Sequence, residues 1–147
     1  MFYGEYSHSI DSKGRIIIPS KLRLAIKETY IDRFFLTRGL ENCIFVFPEH
    51  EWHLIEQKFK TFSITQGKAR AFSRMFFSGA YEVECDKQGR ILVPKNLLQY
   101  ASIENEAIVV GVLSRIEIWD SKKWQDCLKT TQEVFEEISE DLVEPVF

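Results

Sequence analysis

Apolar and polar positions along the chain fall into short alternating runs and a few helical stripes. Glu5–Ile10 and Tyr81–Cys85 alternate with β-prone residues, as half-buried strands do. Short apolar runs, Ile16–Ile18 and Ile91–Val93, predict buried strands, and Pro19 and Pro94 close them. Proline suits the first turn of a helix, so helices are predicted at Pro19–Tyr30 and Pro94–Ala101. Their expected buried residues are Leu22, Ala25 and Ile26, and Leu97, Leu98 and Ala101. Further strands are predicted at Phe34–Thr37, Cys43–Phe47, Ala107–Val112 and Arg115–Trp119. Glu49–Phe59 places Trp52, Ile55 and Phe59 on one helical face, and Lys68–Phe77 does the same with Phe72, Met75 and Phe76. In the last helix Trp124, Leu128, Thr131, Phe135, Ile138 and Leu142 advance by alternating steps of four and three, and Pro145 ends the run. That seam is expected to pack on its own chain, with a neighbouring chain as the alternative.

These elements repeat. Asp11-Ser12-Lys13-Gly14-Arg15-Ile16-Ile17-Ile18-Pro19 recurs 75 positions later as Asp86-Lys87-Gln88-Gly89-Arg90-Ile91-Leu92-Val93-Pro94. Ile44-Phe45-Val46-Phe47 and Trp52 recur 72 positions later as Ile116-Glu117-Ile118-Trp119 and Trp124. Two ordered matches mark an internal duplication, with a three-residue insertion in a loop of the first copy. The order β-turn-β-α-β-β, run twice, predicts an α+β fold with small barrel-like sheets, connecting helices and a C-terminal helix. The expected segments are a first repeat at 5–52, a helical connector at 53–80, a second repeat at 81–124 and an acidic helix and tail at 125–147.

Composition narrows the class. Of 147 residues 45% are apolar and 28% charged, which excludes a disordered chain. Neither an export signal nor a bilayer-length apolar run is visible. Cys43, Cys85 and Cys127 form no C-x-x-C pair, so a disulfide framework or zinc site is not expected and a reducing cytosol fits. The formal charge of −3 conceals a split. Residues 130–147 hold six acids and no base, leaving 19 bases against 16 acids, or +3, on residues 1–129. Lys13, Arg15, Lys21 and Arg23 cluster in the first copy, and Lys68, Arg70 and Arg74 form a second group without an acid. Local positive potential, rather than total charge, attracts a polyanion.

The repeated Asp-x-x-Gly-Arg unit carries the candidate chemistry. Asp11 and Asp86 can accept backbone N–H groups and open a turn, and Gly14 and Gly89 can supply the positive φ a tight reversal needs. Carboxylate and guanidinium then form a fork that pins the turn. The same turn projects Lys13 and Arg15, or Lys87 and Arg90, and the following helix start adds Lys21, Arg23 and Lys95. Arginine matches guanine O6 and N7 with two hydrogen bonds, and lysine neutralises phosphates. The structural and recognition roles are compatible.

D-S-K-G-R-I-I-I-P and D-K-Q-G-R-I-L-V-P resemble the AbrB-like (SpoVT-AbrB) swapped-hairpin DNA-binding motif. Two copies in one chain, with Phe76-Phe77-Ser78-Gly79-Ala80 leading into the second and Ile116-Glu117-Ile118-Trp119 within it, resemble the MraZ family over about residues 1–125. The resemblance implies a cytoplasmic, nucleoid-associated transcription regulator. It also implies a ring of identical subunits binding repeated boxes in double-stranded DNA ahead of its own cell-division and cell-wall operon. The family's DNA-facing positions fall on Arg15 and Arg90, beside Lys13 and Lys87. Arg23 follows Leu22 in the first copy, but Leu98 follows Leu97 in the second, so one base is missing there and weaker phosphate contact by the second copy is expected. Whether the two hairpins complete one barrel within a chain or exchange between chains is left open by the residues.

Two other functional classes compete with this reading. An AbrB-like antitoxin or protein-interaction module fits the acidic last helix, though such antitoxins usually carry one motif and a longer arm. Catalysis has little behind it. His50-Glu51-Trp52-His53 lacks the i, i+4 histidine spacing of a zinc protease, and no phosphate loop, nucleophile elbow or paired carboxylate stands out. No enzyme activity, cofactor or metal is expected.

Overall fold

The structure, a computed structural model, describes residues 1–24, 31–142 and 144. The first half supplies β1 (Glu5–Ser9), β2 (Arg15–Ile17), α1 (Ser20–Arg23), β3 (Arg33–Arg38), β4 (Ile44–Pro48), α2 (Glu49–Lys60) and α3 (Gly67–Ser78). The second supplies β5 (Tyr81–Glu84), β6 (Arg90–Leu92), α4 (Lys95–Tyr100), β7 (Glu106–Val112), β8 (Arg115–Asp120) and α5 (Ser121–Glu140). Pro19 and Pro94 stand immediately before α1 and α4, where a fixed φ suits helix entry and a missing N–H costs nothing. The helix expected to run to Tyr30 is a single described turn, and Ala25, Ile26 and Pro145 lie outside the described residues.

Six strands form an antiparallel sheet in the order β1-β7-β8-β4-β3-β5, and β2 pairs with β6 in a separate antiparallel ribbon. The two repeats are interleaved: β1 pairs with β7, β5 pairs with β3, and β4 adjoins β8 at the centre. The register shows an approximate twofold relation. Ile16 faces Ile91 in the ribbon and Phe45 faces Glu117 in the sheet, and each pair is related by the repeat shift itself. Hairpin exchange therefore occurs within one chain.

Ribbon and sheet enclose the principal core. Ile16, Ile18 and Leu22 meet Ile91, Val93 and Leu97 over Phe34, Leu36, Ile44, Val46, Ile116 and Ile118. Full burial of a side chain of this kind contributes about 1.5–3 kcal/mol. β7 is buried on both faces: Ala107 and Val109 join this core, while Ile108 and Val110 pack with Trp119, Trp124 and Cys127 under α5. That explains its almost unbroken apolar run. Glu117 is also buried, and its carboxylate accepts hydrogen bonds from Arg115 Nε (2.8 Å) and Trp119 Nε1 (3.0 Å).

α2 and α3 form an aromatic hairpin on the sheet. Trp52 stacks on Phe35 (5.2 Å between centroids) and on Phe76 (5.7 Å), and Phe59 meets Phe76 and Phe77. The buried stripe of α3 differs from the expected one: Phe76 and Phe77 turn inward, whereas Phe72 and Met75 are exposed. The expectation for the last helix also needs correcting. Among the described apolar side chains of α5, Trp124 and Cys127 pack on the body, whereas Leu128, Phe135 and Ile138, and Leu142 just beyond the helix, are exposed. The heptad spacing is present, but nothing in the chain's described part covers it.

Candidate nucleic-acid interface

Each Asp-to-Arg turn is closed by one carboxylate. Asp11 Oδ1 accepts the backbone N–H of Lys13 (3.0 Å) and Arg15 (2.8 Å), while Oδ2 accepts Arg15 Nε (2.7 Å). Asp86 repeats the pattern with Gln88 N, Arg90 N and Arg90 Nε at 2.9, 2.9 and 2.7 Å. Gly14 and Gly89 sit at φ +83° and +78°, the left-handed region where a Cβ is strained. The Arg15 and Arg90 backbone N–H groups hold the Asp11 and Asp86 carboxyls below the usual range, and the guanidiniums act in the same direction.

Because Asp engages Nε, the bond fixes the side of each guanidinium and leaves its end. Among the described residues neither Arg15 nor Arg90 makes a further hydrogen bond through Nη1 or Nη2. Their side chains retain 29% and 27% of their exposure, enough to present the two-pronged end while the stem is packed. Arg15 and Arg90 stand on the same outer face of the ribbon, since Ile16 and Ile91 between them point into the core. Arg15 lies opposite Leu92, and Ile17 opposite Arg90.

The surrounding bases are placed unevenly. Lys13, Lys21, Lys87 and Lys95 are exposed, and Arg23 is half-buried. The backbone crosses between copies: Val93 N–H donates to Gly14 O and Ile18 N–H to Gly89 O, both at 2.9 Å. Each helix start therefore flanks the other copy's turn. Arg23 lies against Gly89, where an added Cβ would stand 2.7 Å from Nη2, and its Nε donates to Ile18 O (3.2 Å). Leu98, the counterpart of Arg23, approaches Gly14 instead. An open groove of about 520 Å³ beside that first turn is lined by Lys13, Gly14, Lys95, Leu98 and Glu104, among others. The missing base is thus missing from the first copy's turn, the reverse of the expectation from linear order.

Two ribbon residues outside the expected site complete its surface. Ile17 and Leu92 are exposed beside the arginines at 40% and 55%. Their signal was the period of two: residues two away from an outward arginine share its face. The histidines belong elsewhere. His50 is exposed, and His53 pairs with Glu56 Oε2 at 2.9 Å. Among the described residues no three His, Cys, Asp or Glu side chains are grouped to hold a metal, and no helix is long and apolar enough to cross a membrane.

Residues 1–75 and 76–145 each match the sequence pattern of the family described as "MraZ protein, putative antitoxin-like". The chain belongs to the MraZ family. The two matches start 75 positions apart, the spacing of the repeated Asp-x-x-Gly-Arg unit, and this one chain holds both halves of the exchanged hairpin pair. The match supports a regulator- or antitoxin-like protein. In MraZ terms, the duplicated Asp–Arg turns are the feature that both halves carry on the ribbon.

Proposed function

We propose that this protein is a sequence-specific, double-stranded DNA-binding transcription regulator whose β2–β6 ribbon enters the major groove. One observation carries the reading: two guanidiniums, each held at Nε by its own aspartate, share one exposed face across an approximate twofold axis. A two-stranded ribbon fits the major groove, and the end of a guanidinium matches guanine O6 and N7. Asp11 and Asp86 orient the arginines and lower the entropy lost on contact, while Lys13, Lys87, Lys21, Lys95 and Arg23 neutralise phosphates. Gly14 and Gly89 hold the turns open for that approach.

One chain offers few phosphate contacts, so binding by several subunits at once supplies affinity through effective concentration. A ring-shaped homo-oligomer presenting successive ribbons suits boxes arranged as repeats. The resemblance to MraZ regulators supports the promoter of its own cell-division and cell-wall operon as the target, and a cytoplasmic, nucleoid-associated location. No step in this reading calls for catalysis. The test is a mobility-shift assay on the chain's own upstream DNA across a salt series, with the mass of the free particle measured alongside. Arg15→Ala is expected to weaken operator binding by ~1–3 kcal/mol, the worth of a bidentate base contact. Wild-type affinity in that variant contradicts the reading. Capture of a partner protein by α5 is the second reading, favoured by that helix's exposed acidic surface. Retention of a partner after nuclease treatment, without any operator shift, decides for it.

A further inference from the structure

Two surfaces are left over by the DNA-binding reading, and they complement each other. The first is α5. By the repeat, α5 is the counterpart of α2, with Trp124 and Cys127 where α2 has Trp52 and Ile55. α2 is covered by α3, whose Phe76 and Phe77 pack on Trp52 and Phe59. No helix covers α5 in this way among the described residues. Its exposed seam is Leu128, Phe135 and Ile138, continued by Leu142 just beyond the helix, with Phe135 at 70% exposure. Glu133, Glu136, Glu137, Glu140 and Asp141 surround it, and no base lies between 130 and 147.

The second surface is the outer side of the α2–α3 hairpin. An open groove of about 260 Å³ there has Phe59, Phe62 and Ile64 as apolar lining and Arg70 and Arg74 at its edge. Ile64 is 82% exposed, and Phe72 and Met75 are exposed nearby. Residues 58–74 contain Lys58, Lys60, Lys68, Arg70 and Arg74 and no acid. An acidic helix with one apolar stripe thus stands on the same chain as a basic hairpin with an apolar groove. The match in both charge and apolarity fits partnering between copies, because each surface lacks what the other supplies.

We infer that α5 of one copy docks into the α2–α3 groove of a second copy, Phe135 entering the pocket formed by Phe59, Phe62 and Ile64. The contact is head-to-tail, so it leaves a free surface at each end and propagates until a ring closes. It assigns Lys68, Arg70 and Arg74 to the subunit contact rather than to DNA. The inference rests on the self-association in the reading above and is independent of its DNA contact.

The experiment is sedimentation and native mass measurement of the full chain at micromolar concentration, without DNA. Wild type is expected to form a multi-copy particle. Phe135→Asp, at an exposed position, is expected to weaken association at least tenfold and leave single chains with unchanged thermal stability. Two reversed chains make the decisive pair: Lys68→Glu/Arg74→Glu on the hairpin, and Glu133→Lys/Glu137→Lys on α5. Each alone is expected to be a single chain, and their mixture is expected to assemble. A wild-type particle that survives Phe135→Asp overturns the interface but not self-association, and so does a mixture that fails to assemble. A single-chain wild type overturns both. Loss of operator binding in Arg15→Ala with the particle intact bears on the DNA reading and supports the independence of the two surfaces.

Discussion

Asp11 and Asp86 each bind two backbone N–H groups and one guanidinium, so every bond they make is to their ionised form. Their depressed pKa values fix the sign of the acid response. The stabilisation is fully present above the ordinary value of 3.8 and is lost as pH falls through the lower folded value. In an acid titration followed by NMR, the Arg15 and Arg90 amide protons are expected to keep their hydrogen-bonded shifts at pH 4 and to lose them only below about 3.8. Loss near pH 6 contradicts this account of the turns. Glycine matters for a second reason. Gly14→Ala and Gly89→Ala each place a Cβ at positive φ and are expected to destabilise by about 1–2 kcal/mol in chemical denaturation. Gly89→Ala must also displace the Arg23 guanidinium, which stands 2.7 Å from the added atom. The aspartate–glycine–arginine unit was legible in the sequence because all of its bonds close within four residues. The exposed Ile17 and Leu92 were legible only by counting in twos once the arginines were placed outward.

Among the elements, the ribbon is the most exacting, since three residue pairs bring both turns together. Ile16 and Ile91 face each other and are almost fully buried. Ile16→Ala and Ile91→Ala are each expected to cost about 2–5 kcal/mol in denaturant titration, and their combination to be non-additive because they share one cavity. Strict additivity contradicts the paired register. Strand and helix identities could be read locally, from alternation and from the two prolines. Their pairing could not: β1 bonds to β7 about a hundred residues away, and no local pattern encodes that choice. The helical stripes were misread at one point for a related reason. Met75 and Phe76 follow Phe72 by three and four positions, as residues of one inward face do. Thr37 Oγ1 on the Phe76 carbonyl and Arg38 Nη1 on the Met75 carbonyl (2.7 Å) fix how the end of α3 sits on β3, and Phe77 rather than Met75 turns inward.

The whole molecule departs from its own symmetry where it meets the proposed ligand. The second turn is flanked by Arg23, the first by Lys95, Leu98 and Glu104, because the segment that follows each ribbon strand lies beside the other copy's turn. That crossing is invisible in linear order, which assigns the missing base to the wrong side. The two ends of the ribbon are therefore expected to bind DNA unequally. Arg23→Leu and Lys87→Ala are each expected to flatten the dependence of log affinity on log salt by about one unit, as loss of one phosphate contact does. An unchanged slope in both contradicts their role as phosphate contacts. The claim on which the rest depends is that Arg15 and Arg90 read base edges from one shared face. Its most direct test is competition binding of the Arg15→Ala/Arg90→Ala chain, comparing a duplex from its own upstream region with an unrelated duplex at fixed salt. The expected result is that preference for the upstream duplex collapses while weak, salt-sensitive binding to both persists. An intact preference in the double variant contradicts the account.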